Sequence, residues 1–175
     1  MMWRYPRTQM EPVRARKHRL PESAYRGKKC VAITAVEIQR RPILSNDQIH
    51  NAVRDCLSSA CSRFNCLVPI YCIMPDHLHV LILGEAEASE PKKAIERFKW
   101  EIGSWFVNHQ NPARFQKDFY DHIVRRSEGW ESQARYIALN PVRRQLVMDI
   151  VSWPYTGSIG FDLEEFLLES WWDGR

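Results

Sequence analysis

No apolar run in this chain of 175 residues approaches the roughly 18 that would suggest a membrane span. The first residues also lack the continuous apolar stretch of a secretory signal, so a cytoplasmic protein is the expectation. Cysteine is absent from the last hundred residues. Cys30, Cys56, Cys61, Cys66 and Cys72 form an odd set without the paired spacing of a disulfide scaffold, which predicts free thiols. A cysteine metal cluster is poorly supported, because Cys56 and Cys61 would sit about 140° apart on a helix and no pair has zinc-ribbon spacing. The sequence has no P-loop, no nucleophile-elbow serine and no HExxH, which argues against the chemistries those motifs carry. It also has no internal repeat and no low-complexity tract.

What is present is ordinary in amount and uneven in distribution. A composition that is 45% hydrophobic and 26% charged is that of one globular domain. Residues 1–29 hold nine Lys/Arg against two acids, residues 30–148 fifteen against thirteen, and residues 149–175 one against six. A basic arm on a nearly neutral body suits a polyanionic partner, nucleic acid first; a solvated tail would look the same on charge alone. The acidic end serves solubility, or folds back over a basic surface. The expected organisation is a basic arm over 1–22 (with Arg14, Arg16, Lys17 and Arg19), a single folded domain over 23–150, and an acidic, tryptophan-rich tail over 151–175.

Residues 31–38 (VAITAVEI) are β-branched and read as a strand. Ser45, Asn46 and Asp47 offer caps to a helix whose apolar positions Ile49, Val53, Leu57, Ala60 and Cys61 recur at helical spacing. Residues 67–74 and 77–83, around Pro75-Asp76, read as an antiparallel hairpin. Pro69 marks its first strand as an edge or a bulge, and the second, apolar on both faces beyond His79, belongs inside the sheet. Pro91 opens a second helix with the stripe Ile95, Phe98, Ile102, Trp105 and Phe106. A fourth strand is expected over 115–126, and a last helix from Glu131 to Asn140-Pro141, where proline ends or kinks it. The order β-α-β-β-α-β plus a C-terminal helix is that of a ferredoxin-like α+β domain, an antiparallel sheet with helices on one face.

His77 and His79 share one face of their strand. Two adjacent neutral imidazoles can bind a divalent cation, or simply hydrogen-bond at a sheet face. Tyr136 and Asn140, four residues apart, share a helix face. Tyr136 lies one position before Ile137, about 100° off the stripe expected to be buried, so its hydroxyl can look outward. A phenolate attacks phosphorus when a metal polarises the phosphate, and an amide oxygen is a suitable additional ligand. A packed aromatic and a helix terminator before proline are the alternatives. Tyr120 competes for the nucleophile's role, with His122 and Asp118 as weaker ligand candidates. Lys92, Lys93, Arg97 and Lys99 interleave with Phe98 and Trp100, a mixture that suits single-stranded nucleic acid or an ordinary amphipathic helix. Arg125, Arg126, Arg143 and Arg144 bracket the Tyr136 helix and would give a phosphate-bearing substrate positive potential.

Taken together these residues resemble the HUH-type single-tyrosine transposases, in the REP-associated tyrosine transposase branch. The likeness runs through LPESAYRGKKCVAIT, MPDHLHVLI, RFKWEIGSW, FQKDFYDHIVRRSE, ARYIALNPVRRQLV and SWPYTGSIG. The MP-[DN]-H-x-H block followed by YIxxNPVR is its most specific part, and Asn140 stands where insertion-sequence relatives have glutamine. The resemblance implies that His77, His79 and Asn140 bind Mg²⁺ or Mn²⁺, and that Tyr136 attacks single-stranded DNA to give a 5′-phosphotyrosine link and a free 3′-hydroxyl. It implies imperfect-palindrome hairpins of the REP type as substrate, and either a monomer or a homodimer. A rival reading is a module that holds a DNA or RNA hairpin without cutting it; another is a small metal-dependent phosphohydrolase, whose turnover would survive loss of Tyr136.

Overall fold

The computed structural model describes residues 21–125 and 129–163. Five strands form one antiparallel sheet in the order β4-β1-β3-β2-β5. They are β1 (Cys30–Val36), β2 (Cys66–Met74), β3 (His77–Gly84), β4 (Tyr120–Val124) and β5 (Thr156–Ile159). The crossover helices α1 (Asp47–Arg63) and α2 (Pro91–Asn108) pack on one face, as the β-α-β-β-α-β order requires. A third helix, α3 (Trp130–Ala138), packs on the opposite face and is followed by the single turn α4 (Asn140–Arg143). Among the described residues, no helix is long and apolar enough to cross a membrane, and all five cysteines are free.

The two faces follow from strand alternation. Leu78, Val80 and Ile82 of β3 join Val31, Ile33, Leu57, Phe98, Ile102 and Phe106 in the core under α1 and α2. Leu81, with Ala32, Ile70, Cys72 and Met74, joins Ala134, Ile137 and Ala138 of α3 in a smaller core on the other side. His77 and His79 alternate with Leu78 and Val80, so both imidazoles lie on the α3 side. The helix starts match their sequence signals: Asn46 caps α1 by accepting from the Ile49 amide at 3.0 Å, and Pro91 is the first residue of α2.

The structure departs from the sequence reading at two places. The segment over 151–175, read as a tail, contributes β5, which covers the outer edge of β2. This makes β2 internal and explains Pro69: the pairing of β2 shifts between Leu67 and Ile70 on one side and between Val68 and Tyr71 on the other. The proline therefore sits in a bulge, where its missing N–H breaks no ladder. Gly157 is required in β5, since a Cβ there would come within 2.4 Å of the Tyr71 hydroxyl. The fourth strand is shorter than expected. Phe115 makes only an isolated bridge to Glu37, and regular pairing begins at Tyr120, opposite Thr34. As the proline predicts, the last helix is broken at Asn140-Pro141, and α4 closes with the Gln145 N–H bonded to the Val142 carbonyl and the Leu146 N–H to the Pro141 carbonyl.

That pair of bonds is a Schellman cap, which places Gln145 in the left-handed region at φ 58°. Glycine adopts this conformation without the Cβ penalty. Gln145→Gly is expected to raise stability by about 1 kcal/mol, measured as a higher denaturation midpoint at unchanged m-value.

Glu37, at the end of β1, is fully buried. Its carboxylate accepts from the Arg41 guanidinium at 2.6 and 3.1 Å and from the amides of Gln39 and Arg41 at 2.8 and 2.9 Å. Burial opposes its ionisation, but these donors outweigh burial and hold its pKa below the ordinary 4.5. A carboxyl lowered on folding contributes stability that is present above its unfolded pKa and lost as pH falls through the folded value. Glu37→Gln is therefore expected to cost about 2 kcal/mol at pH 7, and the gap to wild type should narrow as urea titrations are repeated below pH 4.5. The same loop reaches the β2–β3 turn, where the Glu37 N–H donates to the Asp76 carbonyl at 2.9 Å.

Candidate active site

The two imidazoles meet edge to face, with Nε2 of His77 and Nε2 of His79 3.0 Å apart. Each ring is held from behind through its other nitrogen. His77 Nδ1 is 2.6 Å from Asp76 Oδ1, and His79 Nδ1 is 3.0 Å from the Thr34 hydroxyl, supplied by the neighbouring strand through the Thr34–His79 pairing. Asp76 also accepts from Arg40 at 3.4 Å. The carboxylate can only accept, so it fixes the His77 proton on Nδ1 and leaves the Nε2 lone pair exposed. The Thr34 hydroxyl donates or accepts, so His79 can present Nε2 either as a donor to His77 or as a second lone pair beside it.

Electrostatics keep both rings neutral. Burial pushes His77 down, against the raising influence of Asp76 and with the charges of Arg144 and Arg40 adding to the fall. Burial first, then the adjoining His77 ring and the charge of Arg144, push His79 down to about 3. Burial resists ionisation of Asp76, yet its hydrogen bond from His77 and the Arg40 contact hold it below the usual carboxylate range. Two neutral imidazoles with second nitrogens occupied by acceptor or hydroxyl groups have the form of a metal-ligand pair. Two donors placed cis on an octahedral cation with bonds of about 2.1 Å lie about 3 Å apart, so the spacing fits.

The helix α3 crosses β2 and β3 on this side of the sheet. Ile137 is buried while Tyr136 is 41% exposed, the outcome expected from their angular offset. Arg143 lies over the Tyr136 ring, 4.4 Å from its centroid. Asn140 has a local task. Pro141 has no N–H to give the Ile137 carbonyl, and the Asn140 side-chain amide donates to that carbonyl at 3.2 Å and to the Tyr136 carbonyl at 3.0 Å. Two carbonyl acceptors require the NH₂ on that side. The amide oxygen is thereby left as the group Asn140 can offer to a cation.

The sequence candidates separate in space. Tyr120 and His122 fall four and two residues before the buried Val124 of β4, on the same strand face, and so share the α3 side with the histidine pair. Tyr120 pairs with Thr34, which pairs with His79, so two strand spacings separate Tyr120 from His79. Asp118 precedes the strand and is exposed. The α2 cations belong to the opposite side of the sheet. There Lys92 bonds Glu22, Lys93 bonds Glu90 and Arg97 bonds Glu101, while Lys99 lies over the Phe119 ring. Arg125 is exposed just beyond β4. Arg144 acts electrostatically on both histidines. Arg14, Arg16, Lys17, Arg19 and Arg126, and the tail beyond 163, lie outside the described residues. Thr34 and Arg40 were missed by sequence reasoning. Thr34 carries no motif and is found only through strand pairing; Asp76 was visible beside His77, but its orienting role was not.

An α+β domain of ferredoxin-like topology, with a paired-histidine face crossed by a helix bearing tyrosine and asparagine, is the class defined by this geometry. The profile of the family described as "Transposase IS200 like" matches residues 29–138, and the chain belongs to that family. It is 23% identical over 138 residues, covering 71% of this chain and 77% of the relative, to a REP-associated tyrosine transposase of Haemophilus influenzae. Its fold is similar to that of a REP-associated tyrosine transposase solved bound to a REP hairpin, with TM-score 0.66 and 17% identity over 80% of this chain and 81% of that one.

Proposed function

We propose that this protein is a REP-associated type of strand transferase that cuts and rejoins single-stranded DNA beside a hairpin, using Tyr136 as nucleophile. The observation that carries the reading is the facing pair of Nε2 atoms, 3.0 Å apart, on the side of the sheet where the Tyr136 helix lies. In the reaction a Tyr136 Oη–phosphorus bond forms and the phosphorus–O3′ bond breaks. The phenolic proton passes overall to the departing 3′-oxygen by way of solvent. One phosphodiester is exchanged for another, so neither ATP nor a redox partner is needed, and rejoining is the same step reversed.

His77 Nε2, His79 Nε2 and the Asn140 amide oxygen are the groups that would hold a divalent cation, Mg²⁺ or Mn²⁺. Its charge would polarise the scissile phosphate. Two imidazoles and one amide oxygen suit Mn²⁺ better than Mg²⁺. Asp76 and Thr34 keep the imidazoles aimed, and Arg144 supplies positive potential where a phosphate would enter. The α2 cations and the basic arm serve the hairpin away from the reacting bond.

The test is a labelled single-stranded hairpin, drawn from the DNA flanking this protein's own gene, incubated with Mn²⁺ and run under denaturing conditions. A covalent protein–DNA adduct supports the reading. Tight binding without an adduct would make the protein a hairpin-binding module instead, and turnover that survives loss of Tyr136 would make it a phosphohydrolase.

A further inference from the structure

Sequence alone groups Arg143 with the cations that meet DNA, but the structure gives it a different neighbour. Its guanidinium carbon lies 4.4 Å from the centroid of the Tyr136 ring. We infer that Arg143 is a positioning residue, which holds the Tyr136 ring for attack rather than contacting a phosphate; the inference rests on Tyr136 being the nucleophile.

Tyr136 is 41% exposed, so core packing alone does not fix its ring. A nucleophile free to sample rotamers spends only part of its time where attack can occur. A guanidinium stacked on the ring narrows that freedom. The grip is useful only if its own base is fixed, and it is. Arg143 sits in α4, whose first turn is anchored by the buried Pro141 and whose end is closed by the bonds from Gln145 and Leu146.

The backbone of Tyr136 is held from the same turn, because the Asn140 amide donates to its carbonyl. Ring and backbone of one residue are thus fastened by side chains four and seven positions later. An offset of seven residues along a nearly continuous helix corresponds to about 10 Å of rise, which the arginine closes by extending back toward the N-terminus. A side chain so extended lies along the helix instead of reaching outward for DNA. The adjacent arginines divide their work: Arg144 acts on His77 and His79, Arg143 on the phenol ring.

Arg143→Ala and Arg143→Lys, made in the full chain, test this with single-turnover adduct formation at saturating hairpin and with hairpin binding over a range of salt. Arg143→Ala is expected to slow adduct formation about tenfold with Kd and its salt slope unchanged. Lysine should restore little, since an ammonium lacks the planar face. With 3-fluorotyrosine at position 136, the ¹⁹F resonance of the DNA-free protein should shift in Arg143→Ala. Weaker binding with a salt slope reduced by about one, rescued by lysine, would identify a phosphate contact and overturn the inference. An unchanged adduct rate would overturn it as well, while Tyr136→Phe still losing the adduct would show that the nucleophile assignment stands. An adduct that persists in Tyr136→Phe, or a wild-type protein that forms none, would overturn both.

Discussion

Tyr136→Phe is expected to form no denaturant-resistant adduct with hairpin DNA, a loss of about 10⁴-fold or more, while hairpin affinity stays within about twofold of wild type. Only the hydroxyl is removed. The ring remains for Arg143 to stack on, and the buried neighbours Ala134, Ile137 and Ala138 keep their packing. Because the side chain is substantially exposed, stability should change by no more than about 0.5 kcal/mol, and a lost adduct then reports chemistry rather than unfolding. Tyr120→Phe is the matching control. Tyr120 lies on the same side of the sheet, two strand spacings or about 10 Å from His79, and its variant should retain the adduct. The opposite pattern, an adduct kept by Tyr136→Phe and lost by Tyr120→Phe, would move the nucleophile to β4.

The parts of this fold that sequence reveals are those written in apolar period. The α1 and α2 stripes and the β2–β3 hairpin are buried on at least one side, so their side chains had to follow the 3.6 or 2 residue repeat. β5 has no such signature. TGSI is small and polar, all four residues are only half-buried, and its place depends on a glycine that fits beneath the Tyr71 hydroxyl. The histidine pair was legible because it lies within one strand, and the tyrosine–asparagine pair because four residues separate its members along one nearly continuous helical run. Thr34 was not, since its bond to His79 spans 45 residues and exists only once β1 and β3 are in register. Charge was the least informative signal. Lys92, Lys93 and Arg97 suit a nucleic-acid-binding run and an ordinary amphipathic helix equally well, and the structure adds that each pairs with a carboxylate on the face away from the histidines. Arg40, which no pattern marked, reaches Asp76 because its backbone turns through φ 56°.

Adding Mn²⁺ to the wild-type protein is expected to raise its melting temperature, and His79→Ala to abolish that rise together with adduct formation. A ligand that binds only the folded state stabilises it by about 2.7 kcal/mol at one hundred times its Kd, which for a domain of this size is a shift of about 5–10 °C. The variant must be read against its own baseline. Removing a largely buried imidazole leaves the Thr34 hydroxyl and the His77 Nε2 without their partner, at a cost of about 2 kcal/mol even before metal is added. The informative quantity is therefore the increment on adding Mn²⁺, not the starting temperature. Thr34→Val refines the test because it leaves both ring nitrogens in place and removes only the hydroxyl behind His79. If that hydroxyl orients the ring toward a cation, the Mn²⁺ concentration giving half the shift should rise about 10–100-fold, with the full shift recovered at saturation. Equal increments in wild type, Thr34→Val and His79→Ala would mean that Mn²⁺ binds elsewhere, and that the facing imidazoles are a hydrogen-bonded pair serving the sheet.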